Sequence, residues 1–177
     1  MSGHSHWAGI KHKKAVTDAK RAQIFTKLGH AIAVAARNGG GNPDFNPALR
    51  LAVDKARSLN MPKDKIENSI KKGTGEGLEN RLEEAQYEAL GPFGIMLIIN
   101  VITDNKNRTV SDLRRLLEKH GGKMADGGVS WNFKRSGAAY VPQYTISLEP
   151  GQKEKYEKLI EDLTDHPDVQ EFYDNLQ

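Results

Sequence analysis

The sequence predicts an α+β protein: an N-terminal three-helix bundle followed by a ferredoxin-like domain of order β-α-β-β-α-β. Three observations carry that expectation. Up to Gly73 the apolar residues recur at helical spacing between caps and glycine stops. Residues 73–81, Gly-Thr-Gly-Glu-Gly-Leu-Glu-Asn-Arg, then read as a linker. Beyond it, Gly94 to Ile102 is a nearly unbroken apolar run with β-branched residues, the pattern of a central strand. The expected domains are a basic helical domain with an N-terminal arm, residues 1–78, and an α/β domain, residues 79–177.

Residues 1–16 form the arm, basic and without Asp or Glu before Asp18. It has little apolar surface to bury, so it is expected to order only against a polyanion. The first helix is expected from Thr17 or Asp18 to Arg37, with Thr17 as cap and Gly39-Gly40-Gly41 as stop. Ile24, Phe25, Leu28, Ala31, Ile32 and Ala35 fall on one face. Lys20, Lys27, His30 and Arg37 gather within a roughly 100° arc on another, either a phosphate-binding stripe or a solvated face. Asn46-Pro47, a cap and a first-turn proline, opens a second helix to about Ser58, with Leu49, Val53 and Ala56 inward. Met61-Pro62 starts a third, with Ile66 and Ile70 inward.

In the α/β half, Thr103 to Arg108 reads as a polar loop and Thr109 to His120 as a helix stopped by Gly121-Gly122. Val129 to Phe133 alternates as a strand, Ser136-Gly137 can turn, and Ala138 to Val141 continues. Tyr144 to Leu148 is a further pairing segment, Lys153 to Thr164 a helix, and Val169 to Tyr173 a last strand. By period-two alternation Val129, Trp131 and Phe133 share one face, expected to pack under the helices. That would leave the open sheet face poor in rings, which weighs against base stacking there.

Composition bounds the function. The 177 residues contain 37% hydrophobic and 28% charged side chains, as suits a soluble globular protein. Without cysteine, disulfides and thiolate chemistry are excluded. The apolar run from Ile95 is too short to span a bilayer, and residues 1–15 lack the apolar core of a signal peptide, so a cytoplasmic protein is expected. The net charge of +3 hides an asymmetry: residues 1–78 carry 14 Lys and Arg against 6 Asp and Glu, a net +8, and residues 79–177 carry 12 against 17, a net −5. A basic half joined to an acidic one points to a nucleic-acid or ribosome partner on the basic side.

Other chemistries find weak signals. His4, His6 and His12 could ligate a metal, but no cysteine or nearby carboxylate completes a site. Gly73-Thr74-Gly75-Glu76-Gly77 lacks the Gly-Lys-Ser/Thr ending of a phosphate loop and follows a helix rather than a strand. Asp104, His120 and Asp126 are the one set that a hydrolase reading could use. In the loop Asp104–Arg108, Lys106 and Arg108 with two asparagines could contact phosphates and sugar edges, or the loop could be a tight turn.

Several long motifs resemble the YebC/PmpR family. Gly3-His4-Ser5-His6-Trp7-Ala8-Gly9-Ile10-Lys11-His12-Lys13-Lys14, Asp18-Ala-Lys-Arg with Ile24-Phe-Thr-Lys-Leu, and Asn60-Met-Pro-Lys-Asp-Lys-Ile-Glu look like its helical domain. Thr103-Asp-Asn-Lys-Asn-Arg-Thr, Lys119-His-Gly-Gly, Gly128-Val-Ser-Trp-Asn-Phe and Asp168-Val-Gln-Glu-Phe-Tyr-Asp-Asn look like its α/β part. The family is generally labelled as DNA-binding transcriptional regulators without enzymatic activity. It includes the mitochondrial translational activator of cytochrome c oxidase subunit I and members linked to ribosomes translating proline-rich stretches. Members usually carry a third domain inserted into the second. Here Ala138-Ala-Tyr-Val runs almost directly into Pro142-Gln-Tyr-Thr-Ile-Ser-Leu, which resembles the segment after that insert, so the resemblance implies a compact form lacking it.

The reading is therefore a non-enzymatic nucleic-acid-binding regulator of gene expression, with a ribosome- or ribosomal-RNA-associated translation factor as the alternative. Lys11, His12, Lys13, Lys14, Lys20, Arg21 and Lys27 are expected to contact phosphate and Trp7 to stack or wedge, with Lys106 and Arg108 as a second set. No cofactor, metal, membrane or small-molecule substrate is expected.

Overall fold

The computed structural model describes residues 18–75, 82–137 and 139–177. Thr17, the expected first cap, and most of the expected linker lie outside them. The described chain divides into two compact units, one of residues up to 84 together with 102–105, the other of 85–101 and 106–177.

The first unit is built on α1 (Asp18–Gly39), α2 (Pro47–Ser58) and α3 (Lys63–Gly73). Leu28, Ile32 and Ala36 of α1 pack with Leu49, Val53 and Ala56 of α2, Met61, and Ile66 of α3. These are largely the faces that helical periodicity selects. Asn46 joins two elements. Its Oδ1 accepts from the Leu49 amide at 3.0 Å, capping α2, and its Nδ2 donates to the carbonyls of Ala35 and Gly40, both at 2.8 Å. It thereby satisfies orphan groups at the end of one helix and the start of the next. Asn46→Ala is expected to lower stability by about 1–2 kcal/mol, read as a fall in urea midpoint with the slope unchanged. Helices α1 and α3 approach closely because Gly73 has no side chain: a Cβ there would lie 2.2 Å from the Ala33 carbonyl oxygen.

The second unit contains a four-stranded sheet of β1 (Glu83–Leu90), β2 (Met96–Thr103), β3 (Lys123–Met124) and β6 (Val169–Asp174), in the order β3-β1-β2-β6. The register is antiparallel between β1 and β3 and between β2 and β6. Helices α4 (Lys106–Lys119) and α5 (Pro150–Asp165) complete it, with a separate hairpin of β4 (Phe133–Ser136) and β5 (Ala139–Pro142). Leu97, Ile99 and Val101 of β2 join Leu113 and Leu117 of α4 and Tyr156, Leu159 and Leu163 of α5 in one core. Ile98, on the opposite face, joins Val129, Phe133 and Tyr173 in a second. Strand β2 is buried on both faces, so its sequence reads as a continuous apolar run.

The expected α+β class holds: three helices, then an antiparallel α/β sheet. The element order differs from β-α-β-β-α-β, because β1 precedes the run expected to be the first strand. Glu83–Leu90 reads poorly as a strand, since Glu and Ala are depleted in strands. Its place between β3 and β2 makes it one. The expected strand Val129–Phe133 is also corrected. Ser130–Asn132 is a turn of 3-10 helix, and the strand begins only at Phe133. Such a turn places Val129 and Phe133 inward and turns Trp131 out, 60% exposed, where period two had placed it in the core. Tyr144 to Leu148 forms no ladder; Ile146 makes one bridge, to Leu176.

Candidate nucleic-acid interface

Of the expected contact residues, Trp7, Lys11, His12, Lys13 and Lys14 lie outside the described residues, as do His4 and His6. Lys20 and Arg21 are exposed in the first turns of α1. Arg21 Nη1 lies 3.3 Å from Asp18 Oδ1, and both side chains are open to solvent. Such a pair contributes little to stability, so Arg21 can exchange it for a phosphate. Lys27, placed in the same set, is only 5% exposed, so it presents little surface to a phosphate. His30 is half-buried, and the Arg37 guanidinium donates to the Leu82 carbonyl. The arc that looked like a basic stripe is thus interrupted: Lys20 and Arg37 are exposed, His30 is half-buried and Lys27 is buried.

The second expected set also divides. The segment read as a loop already enters α4, whose first residue is Lys106. Lys106 is exposed, and its carbonyl accepts from the Tyr87 hydroxyl at 3.3 Å. Arg108 Nη2 lies 3.0 Å from Asp168 Oδ2, which also accepts from the Thr109 hydroxyl at 2.7 Å. Burial pushes the Asp168 pKa up, but the hydrogen bonds from Thr109 and Arg108, with the charges of Arg108 and His166, outweigh it and hold the group below its ordinary value. Arg108 is therefore first a structural cation.

In the hydrolase set, His120 is engaged within its own unit. Its Nε2 lies 2.8 Å from Asp162 Oδ2, which the Lys119 ammonium also reaches at 2.8 Å. Hydrogen bonds from Lys119 and His120 hold the Asp162 pKa low against the upward push of burial. Among the described residues no cluster of three His, Cys, Asp or Glu is placed to hold a metal.

What the structure adds is a face of α3. Lys65, Asn68, Ser69 and Lys72 line a groove with Phe25 and His30 of α1. The Lys65 ammonium sits 5.4 Å from the centre of the Phe25 ring, within cation–π range. Positions i, i+3, i+4 and i+7 share one helical face. That spacing was available in the sequence, where only the inward Ile66 and Ile70 were read. Two cations and two neutral hydrogen-bonding side chains on one face suit a phosphate backbone.

Fold and charge define a class: a two-unit α+β protein whose helical part offers cations from α1 and α3. The comparisons with known proteins agree. The TACO1/YebC N-terminal domain model matches residues 5–76, and the model for the TACO1/YebC second and third domains matches residues 82–141 and 136–176. The chain belongs to the TACO1/YebC family. It is 55% identical to a "Probable transcriptional regulatory protein" of Petrotoga mobilis over 82% of this chain. Another of the same name, from Fervidobacterium nodosum, is 57% identical over 83%. The chain spans 59% of the length of each of these relatives. The second family match falls in two stretches that meet at residues 136–141, consistent with a shorter form in which the insert is missing. The crystal structure of the conserved hypothetical protein Aq1575 from Aquifex aeolicus superposes with a TM-score of 0.86 at 32% identity, covering 98% of this chain and 97% of that one. No helix among the described residues is long and apolar enough to cross a membrane.

Proposed function

We propose that this protein is a non-enzymatic, cytoplasmic regulator of transcription that binds DNA through its basic helical half. The observation that carries the reading is the close likeness to relatives named probable transcriptional regulatory proteins, joined to a net +8 on residues 1–78. Lys20 and Arg21 of α1, Lys65 and Lys72 of α3, and Lys11, Lys13 and Lys14 of the arm are the phosphate contacts. Neutralising phosphates releases condensed counterions, which supplies the affinity and makes it steeply salt-dependent. The acidic half adds no general attraction for phosphate. Sequence preference would come from groove contacts of the arm and from DNA shape.

Titrations of a duplex at several salt concentrations test the proposal. Lys65→Ala with Lys72→Ala is expected to reduce the log–log salt slope by about two units, roughly 0.9 per phosphate contact on duplex DNA. Both side chains are exposed, so the melting temperature should stay near that of the parent. Binding to single-stranded RNA but not to duplex DNA would overturn the choice of DNA. A slope near zero for the parent would overturn nucleic-acid binding itself.

A further inference from the structure

Trp131 and Tyr144 are 60% and 69% exposed, and their ring centroids lie 6.4 Å apart at 46°. That separation is at the outer end of aromatic contact, so the rings barely cover each other. Single exposed apolar side chains are ordinary, but two neighbouring rings on a braced frame are not. The bracing is dense. The Asn132 side chain, fully buried, accepts from the Tyr144 amide at 2.8 Å and donates to the Tyr144 carbonyl at 2.9 Å. Asn175 Nδ2 reaches the same carbonyl at 3.3 Å. The Gln143 amide donates to the Asn132 carbonyl at 2.7 Å, and Gln143 Nε2 donates to the Trp131 carbonyl at 2.9 Å. On the other side the Glu88 carboxylate accepts from the amides of Val129 and Ser130. The backbone beneath both rings is thus fixed while the rings stay in solvent.

The charge around them selects the occupant. Residues 127–148 contain two charged side chains, Lys134 and Arg135, and no Asp or Glu. Both cations are exposed on β4. Lys134 pairs across the hairpin with Val141 and Arg135 with Tyr140. Asp126 and Glu149 bound this stretch, so the positive charge is local to the β4 strand itself. Glu88, the acid bound beside it, already accepts two backbone amides.

We infer that the Trp131–Tyr144 pair, with Lys134 and Arg135, is a stacking site for unpaired bases of a single-stranded nucleic acid. Rings supply faces that any base can stack on, and the cations follow the backbone. A duplex hides those base faces, so the site should discriminate by strandedness rather than by sequence. It rests on the reading of the protein as a nucleic-acid binder and adds a second mode to it, away from the cations of α1 and α3 in sequence. Exposed aromatics also receive proline-rich peptides; the exposed Lys134 and Arg135 on the strand that follows Trp131 favour the polyanion.

The test uses the full chain. Trp7 and Trp131 are its two tryptophans, so Trp7→Phe, excited at the red edge where the tyrosines do not absorb, leaves Trp131 as the reporter of quenching, and affinities are compared in chains that keep Trp7. Titration with a thymidine dodecamer is expected to quench Trp131, and the matched thymidine–adenosine duplex is expected to quench it far less. Trp131→Ala should weaken dodecamer binding by about 5- to 150-fold with the salt slope unchanged, the loss expected for one stacked base. Lys134→Ala with Arg135→Ala should instead lower the slope. Trp131 is exposed, so its removal leaves the melt unchanged, and Trp131→Phe should recover part of the affinity. Dodecamer binding with Trp131 unquenched, or with Trp131→Ala binding as the parent does, overturns the stacking site and leaves the proposed function standing. Failure of the parent to bind either strand form overturns both. Quenching by an oligoproline peptide but not by the dodecamer overturns the choice of ligand.

Discussion

Removing residues 1–14 is expected to flatten the salt dependence of duplex binding by about two to three units of log–log slope. Lys11, Lys13 and Lys14 leave with the segment, and no acid leaves with them. Three lost contacts at roughly 0.9 each remove about 40-fold of the affinity change that a fourfold change in salt otherwise produces. The fold raises the weight on this segment. Lys27 is buried and Arg37, though exposed, is tethered to the Leu82 carbonyl, so the untethered cations of α1 are Lys20 and Arg21. Changing Lys106 should matter much less. Trp7→Ala separates stacking from charge: it should cost about 1–3 kcal/mol with the slope kept. Equal slopes for the intact and shortened chains would show that the arm is not a phosphate-binding element.

The helical part was legible because its signals are local. Asn46-Pro47 is a cap and a first-turn proline, and Leu49, Val53 and Ala56 repeat on one face. The buried strand β2 was legible for the same reason. What failed depended on partners distant in sequence. Glu83–Leu90 is a strand because β2 and β3 flank it. Trp131 is exposed because a turn of 3-10 helix replaces alternation, and the Asn132 side chain supplies bonds that a ladder would have made. At the interface, charge was legible and availability was not. Lys27 and Lys20 look alike in a helical projection, yet one is buried and the other exposed. Arg108 looked like a phosphate ligand because its carboxylate partner, Asp168, lies sixty positions along the chain.

That partnership carries the largest stability effect expected here. Asp168→Ala should destabilise the α/β unit by about 2–4 kcal/mol, below the full cost of breaking a buried pair because Arg108 is half exposed and can recover water. Asp168 is 3% exposed, and its carboxylate ties the start of β6 to the first turn of α4, through Arg108 at 3.0 Å and the buried Thr109 hydroxyl at 2.7 Å. Truncation leaves that hydroxyl to find another acceptor in a site with little water. The pH dependence follows from the direction of the shift. The folded pKa lies below the ordinary value of 3.8, so the unfolded chain binds the proton more readily. The contribution is fully present above 3.8 and is lost as pH falls through the lower folded value. Urea unfolding of parent and variant, followed by circular dichroism, should therefore differ by a constant amount from neutral pH to about pH 5, and the gap should close in stronger acid. Asp168→Asn separates shape from charge, since it can still accept from Thr109 but pairs poorly with Arg108. If the gap between parent and Asp168→Asn stays constant into strong acid, the ionised carboxylate is not what holds β6 to α4, and Arg108 returns to the set of cations available for phosphate.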